Sequence, residues 1–320
     1  MIEIRATIHD ELTEFDKKFR EILKSNTPLL DRVIRYVISQ KGKQIRPMLV
    51  FLCAKITGPV TESTYHAAAM VELLHTATLV HDDVVDESME RRGLLSINAI
   101  WKNKIAVLVG DYLLSKGLLL ATKHQEYALL HYLSDAVQRM SEGELLQIEK
   151  SRKLNLDESV YFEIIRNKTA SLLASACAIG AYSNTKSQPI ADDFYTFGEK
   201  MGIAFQIKDD LLDYGNTNIG KPTGNDIKEK KLTLPLIYTI QQAEKKLKRE
   251  LIYILKNKNK EQEAVNFVLD AVQNSGGIEY ATQKMLLYRK DALTILQKCS
   301  PSENRDALER LVLFTTERSH

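Results

Sequence analysis

Two short acidic clusters hold the residues best suited to chemistry in this sequence. The first lies in His75-Thr-Ala-Thr-Leu-Val-His81-Asp82-Asp83-Val-Val-Asp86-Glu87 and the second in Gln206-Ile-Lys-Asp209-Asp210-Leu-Leu-Asp213. Both set three aspartates in a DDxxD spacing within an otherwise apolar stretch. On a helix Asp82 and Asp86 are about 40° apart and His75 is about 20° from Asp82, so all three share one face. Carboxylates one turn apart repel each other unless a hard cation joins them, and their oxygen ligands suit Mg2+ shared with substrate phosphates. An exposed acidic helix end would explain one such cluster, but not its repetition ahead of a second loop.

Cations flank these boxes in places that fit a diphosphate. Arg91 and Arg92 follow the first, where guanidinium forks can clamp phosphate oxygens. Gly42-Lys43-Gln44-Ile45-Arg46-Pro47 sets two cations three residues apart at a helix start, where free backbone N–H groups also favour an anion. The segment lacks the GxxxxGK[ST] pattern of a P-loop. Lys168-Thr169 interrupts an apolar helix, and Lys221 and Lys231 bracket a Gly/Pro loop. Taken singly each is an ordinary surface residue; they gain meaning beside the acidic pair.

The elements that must hold these residues read as helical. The seven prolines leave 60–188 and 236–300 clear, glycines number only 14, and apolar residues recur at helical spacing, as in Ala67, Met70, Val71 and Leu74. No alternating run bounded by Asn-Gly or Asp-Gly suggests a hairpin. The expected fold is all-α, about a dozen helices. Breaks are expected at Lys41–Gly42, Thr57-Gly-Pro59, Arg91–Ser96, Asn184–Pro189 and Tyr214–Lys231, the last a long loop with the character of a lid. Lys245–Lys260 reads as a solvated helix pair and loop.

Composition narrows the remaining choices. The 44 Lys+Arg against 42 Asp+Glu give a net charge of +2, which does not point to nucleic acid or an anionic membrane. Apolar residues make up 44%, as in a globular protein with a large core. Cys53, Cys177 and Cys299, without CxxC spacing, suit a reducing compartment. The N-terminus has no apolar run like that of a signal peptide, and no integral membrane span is expected. No Pro-, Gly- or Ser-rich boundary divides the chain, so 1–320 is read as a single domain.

With these residues in view the chain resembles the trans-isoprenyl diphosphate synthases of the polyprenyl synthetase family, especially long-chain bacterial members such as octaprenyl diphosphate synthase. The motifs are GKQIRP (42–47), ELLHTATLVHDDVVDESMERRG (72–93), GDYLL (110–114), EGELLQ (142–147), KTAS (168–171), FQIKDDLLDY (205–214) and GKPTGNDIKEKKLTLP (220–235). The resemblance covers essentially the whole chain. It implies the isoprenoid synthase fold, a bundle of long helices around a deep central cavity, usually as a homodimer in the cytoplasm.

The resemblance also implies roles. Such enzymes condense isopentenyl diphosphate onto an allylic diphosphate by ionisation, condensation and proton elimination. Asp82 and Asp86 would bind Mg2+ with Asp83 in support, as would Asp209, with Asp210 and Asp213 nearby and Asp213 a further candidate ligand. Arg91, Lys168, Thr169, Gln206, Lys221 and Lys231 would hold the allylic diphosphate or stabilise its departure. Lys43, Arg46, His75 and Arg92 would bind isopentenyl diphosphate, with Arg318 a weaker candidate. The family commonly has glycine before the loop-closing lysine, whereas this chain has Lys230 before Lys231, so either lysine could serve the phosphate. No protein nucleophile is needed: catalysis means stabilising charge on the departing diphosphate in a dry cavity.

Product length follows from the residues before the first box. Short-chain relatives block the tunnel with an aromatic four or five residues ahead of the first aspartate; here stand Thr78 and Ala77, with Leu74 and Val71 deeper. A long-chain product, hexaprenyl to decaprenyl, is expected, of the kind used in quinone side chains, with farnesyl or geranylgeranyl diphosphate as primer. Tyr132 is a candidate for the floor. Geranylgeranyl or farnesyl diphosphate synthase is the runner-up. A class I terpene cyclase and a non-catalytic partner subunit fit less well, since the second DDLLD, GKQIRP and all six aspartates are present.

Overall fold

The computed structural model describes residues 1–39, 42–91, 93–154, 157–215 and 224–317. In chain order the helices are α1 (Ile2–Ala6), α2 (His9–Leu23), α3 (Pro28–Ser39), α4 (Ile45–Thr57), α5 (Glu62–Val85), α6 (Ile97–Lys123), α7 (Tyr127–Lys153), α8 (Glu158–Ile165), α9 (Ser171–Thr185) and α10 (Gln188–Leu212). There follow α11 (Asn225–Lys228), α12 (Leu234–Gln242), α13 (Lys245–Asn257), α14 (Gln262–Asn274), α15 (Gly277–Leu296) and α16 (Glu303–Glu317). A π-helical turn, Arg166–Ala170, precedes α9. The fold is all-α.

Two local expectations are corrected. A two-residue antiparallel hairpin, β1 (Glu90–Arg91) with β2 (Leu94–Leu95), follows the first acidic box. Its strands are too short to show alternation, and its turn carries Gly93 at φ +75°, a conformation glycine adopts without a Cβ clash. The lysine-rich stretch is one helix, α13, which buries Leu251, Ile254 and Leu255 and turns its lysines outward.

The chain falls into two compact units. The first comprises Met1–Asp135, Ser175–Tyr195 and Ser300–Leu308, the second Ala136–Ala174, Thr196–Cys299 and Glu309–His320. In the first unit α5 packs along α6 around Leu73, Ala77, Val80, Ala106, Val109 and Leu113. His81 lies over Gly110, where a Cβ would meet its Nε2 at 2.1 Å. The second unit has two apolar clusters. One joins α8, α10, α12 and α15 through Tyr161, Ile207, Ile237 and Met285; the other joins α12, α13 and α14 through Ile240, Leu255 and Val268.

Candidate active site

In the first unit the first box ends α5. Thr61 caps the other end of this helix reciprocally with Thr64, so the helix runs unbroken to the box. Asp82 and Asp86 are exposed, and Asp86 is the C-cap residue, still in right-handed helical conformation. Asp83 turns inward, only 3% exposed, and its Oδ1 accepts from Nε and Nη2 of Arg91 at 2.7 Å. The backbone carbonyl of Asp83 accepts from Ser88 N at 2.9 Å and Asn98 Nδ2 at 3.1 Å. These bonds tie the segment after the box, including β1, back onto α5.

Two turns before the box, His75 Nε2 lies 2.8 Å from Arg46 Nη1 at the start of α4. Lys43 stands exposed just ahead of that helix. Gln44, its N-cap residue, has φ +52°; its side chain is held by Arg5 Nη2 at 2.8 Å and reaches Asp16 at 3.0 Å. Sparsely populated backbone of this kind persists where the surroundings fix it, often at functional sites. Arg92, Lys221 and Arg318 lie outside the described residues.

The second box occupies the end of α10, in the second unit. Asp209 is exposed, while Asp210 is fully buried and satisfied by three donors: Tyr161 Oη at 2.8 Å, Gln206 Nε2 at 3.0 Å and Lys231 Nζ at 2.9 Å. Asp213 uses both oxygens to cap the start of α11, accepting from the backbone N–H groups of Asn225 and Asp226 at 3.0 Å each. Burial raises the Asp213 carboxyl above its ordinary range, against the pull of those bonds.

Lys231 lies between Asp210 and Asp226, its Nζ 3.4 Å from Asp226 Oδ1. Burial alone would lower its pKa, but Asp210 and Asp226 hold it above the ordinary lysine range. The Asp226 carboxyl is pushed up to about 7, first by burial, with Lys231 pulling it down and Asp210 and Asp213 raising it further. Lys230 points elsewhere. Its Nζ donates to the carbonyl of Lys256 at 2.9 Å, and its φ of +59° explains why glycine suits this position. Of the two lysines, Lys231 is the one at the acidic box.

Lys168 and Thr169 sit on the π-helical turn. Lys168 pairs with Glu144 and donates to Gln147 Oε1 at 3.4 Å. Thr169 Oγ1 donates to Gln206 Oε1 at 2.8 Å, and Gln206 in turn donates to Asp210. Sequence reasoning gave no role to Tyr161, Asp226, Glu144 or Gln147. The last three lie in motifs already noted, EGELLQ and GKPTGNDIKEKKLTLP, whereas nothing local marks Tyr161.

The positions expected to line a product tunnel divide by face. Ala77 is fully buried in the α5/α6 cluster with Leu73 and Val80, so it belongs to the packed core. Thr78 is partly exposed and donates to the carbonyl of His75 at 2.9 Å. Tyr132 is buried, its hydroxyl donating to Asp192 at 3.2 Å and accepting from Gln188 at 2.5 Å.

Comparison with known proteins agrees with this chemistry. Residues 27–272 match the family described as Polyprenyl synthetase. The chain is 34% identical to an all-trans-nonaprenyl-diphosphate synthase (geranyl-diphosphate specific) of Rhodobacter capsulatus, covering 99% of this chain and 97% of that one. Among solved structures it resembles a decaprenyl diphosphate synthase from Rhodobacter capsulatus, with TM-score 0.94, 32% identity and coverage of 99% and 98%. It also resembles a geranylgeranyl pyrophosphate synthase from Bacteroides thetaiotaomicron, with TM-score 0.83, 36% identity and coverage of 99% and 98%.

Proposed function

The chain belongs to the polyprenyl synthetase family, and from that premise we propose that it condenses isopentenyl diphosphate onto farnesyl or geranylgeranyl diphosphate to give a long-chain all-trans polyprenyl diphosphate, for quinone side chains. The observation that carries this reading is in the first unit. One face of α5 bears the exposed carboxylates Asp82 and Asp86, and two turns along it His75 meets Arg46. An oxygen donor set for a hard cation beside a guanidinium held by a histidine is what a metal-bound diphosphate requires.

The donors suit magnesium. Asp82, Asp86 and Asp209 are exposed carboxylates, and Asp213, the fourth proposed ligand, keeps a lone pair on each oxygen beyond its backbone bonds. Bound Mg2+ would neutralise diphosphate charge as the allylic C–O bond breaks. Lys43, Arg46 and His75, with Arg92, bind isopentenyl diphosphate in this reading. Arg91, Lys168 and Lys231, with Lys221, would hold the allylic diphosphate, and Thr169 and Gln206 would supply oxygen dipoles to the developing cation in this reading. Residues 1–320 are read as a single domain in this proposal.

The quaternary state and compartment belong to the same proposal. Val107, Leu108, Leu118 and Leu119 are exposed on α6, and the two pairs, eleven residues apart, fall on one face. Such a face supports a homodimer. Among the described residues α6 is also the one helix long and apolar enough to cross a membrane, with mean hydropathy 1.6. Cys53, Cys177 and Cys299 form no disulfide among the described residues, in keeping with the cytoplasmic setting proposed here.

Incubation with Mg2+, radiolabelled isopentenyl diphosphate and farnesyl diphosphate, followed by chromatography of the dephosphorylated products, tests the reading. A ladder ending in one long prenyl alcohol is expected. A C20 end point would select the second reading, geranylgeranyl diphosphate synthase, favoured by the 36% identity to such an enzyme. A cyclic hydrocarbon would indicate a terpene cyclase, and no incorporation a partner subunit.

A further inference from the structure

The EGELLQ segment of α7 has no role in the site as described. Glu144 and Gln147 are three residues apart, hence neighbours on one helix face, and both engage the ammonium of Lys168. An ammonium has three N–H donors. Among the described residues Glu144 and Gln147 engage two of them, so the ammonium keeps a further donor with which to meet an anion.

The backbone carrying Lys168 is gripped from two sides. A Cβ at Gly143 would meet the Lys168 backbone nitrogen at 2.8 Å, and one at Gly202 on α10 would meet Ala170 Cα at 2.7 Å. Both α7 and α10 therefore touch the π-helical turn Arg166–Ala170 where only glycine fits. Turns of this kind recur at functional sites because they re-aim side chains out of helical register. The Glu144 and Lys168 side chains are 33% and 38% exposed, so their pairing adds little to stability. Its effect is on direction.

We infer that Glu144 is a positioning residue for prenyl transfer, holding the Lys168 ammonium aimed at the allylic diphosphate with Gln147 as the second support. From Lys168 the backbone leads to Thr169, and hydrogen bonds continue through Gln206 to Asp210. EGELLQ and the second acidic box thus brace neighbouring residues of one turn. The inference rests on the prenyl-transfer reading for its substrate.

A double-mutant cycle tests it, using wild type, Glu144→Ala, Lys168→Met and the double variant, with Glu144→Gln as the conservative replacement. Glu144→Ala is expected to lower kcat/KM for farnesyl diphosphate about tenfold where Lys168 is present, and less than about twofold in the Lys168→Met background. Glu144→Gln should recover part of the loss, and the KM for isopentenyl diphosphate and the melting temperature should not move. Equal penalties in both backgrounds would overturn the inference. Calorimetric titration of the same four proteins with Mg2+ and inorganic pyrophosphate gives a readout independent of turnover. Loss of prenyl transfer in wild type would defeat the functional reading, while additive pyrophosphate affinities would defeat the role of Glu144.

Discussion

Asp83 and Arg91 are joined by a two-donor ion pair, Nε and Nη2 of the guanidinium both on Oδ1 at 2.7 Å, with the carboxylate buried and the arginine partly exposed. The middle aspartate of the first box therefore faces a protein cation, while its two neighbours face outward. It links the end of α5, proposed to bind metal, to the hairpin whose Arg91 is proposed to hold the allylic diphosphate. Asp83 thus acts through Arg91.

Replacing Asp83 with Asn removes the charge but keeps the shape. Arg91 retains solvent access, so the cost should be about 1.5–3 kcal/mol, the range for a lost charged hydrogen bond. Urea denaturation would measure it, and KM for the allylic diphosphate should rise while Mg2+ dependence stays. Unchanged stability and KM would show that the pair holds nothing.

Lys230 offers a comparison of two substitutions. Lys230→Ala loses the bond to the Lys256 carbonyl and keeps the left-handed backbone, whereas Lys230→Gly loses the bond and relieves the backbone. The glycine variant should be the more stable of the two by about 1 kcal/mol. An alanine variant at least as stable would mean that φ +59° costs nothing here.

Chain length should respond to Thr78. Thr78→Phe is expected to shorten the product by several isoprene units with intact folding, read by chromatography of the alcohols. Ala77→Phe lies in the packed α5/α6 cluster and should cost about 1–3 kcal/mol by overpacking. An unaltered ladder from Thr78→Phe would move the tunnel to another face of α5.

Tyr132 gives an alkaline signature. Burial, then the charge of Asp192, pushes its phenol up to about 12. A folded pKa above the unfolded value contributes stability that is present below about pH 10 and is lost as pH rises through about 12. Tyr132→Phe should therefore narrow its stability gap to wild type over that window, measured by melting temperature at stepped pH. A constant gap would contradict the shift.

Much of this protein is legible along the chain because the signals are local. The Thr57-Gly-Pro59 break, the end of α5 at the last aspartate of its box and the paired DDxxD motifs each depend on residues a few positions apart. Glycine preferred over Lys230 was legible as a motif departure, but its cause was not, since φ belongs to the folded turn.

Other features depend on partners distant in sequence. Composition, helical periodicity and the boxes determined an all-α chain with diphosphate chemistry, because residue type and 3.6-residue spacing act within one helix. Only the tertiary structure decided that Asp83 serves Arg91, that Lys231 rather than Lys230 meets Asp210, that Ala77 is core while Thr78 is not, and that Glu144 reaches Lys168. Spacing within a helix sets which face a side chain occupies; packing against another element sets what that face meets.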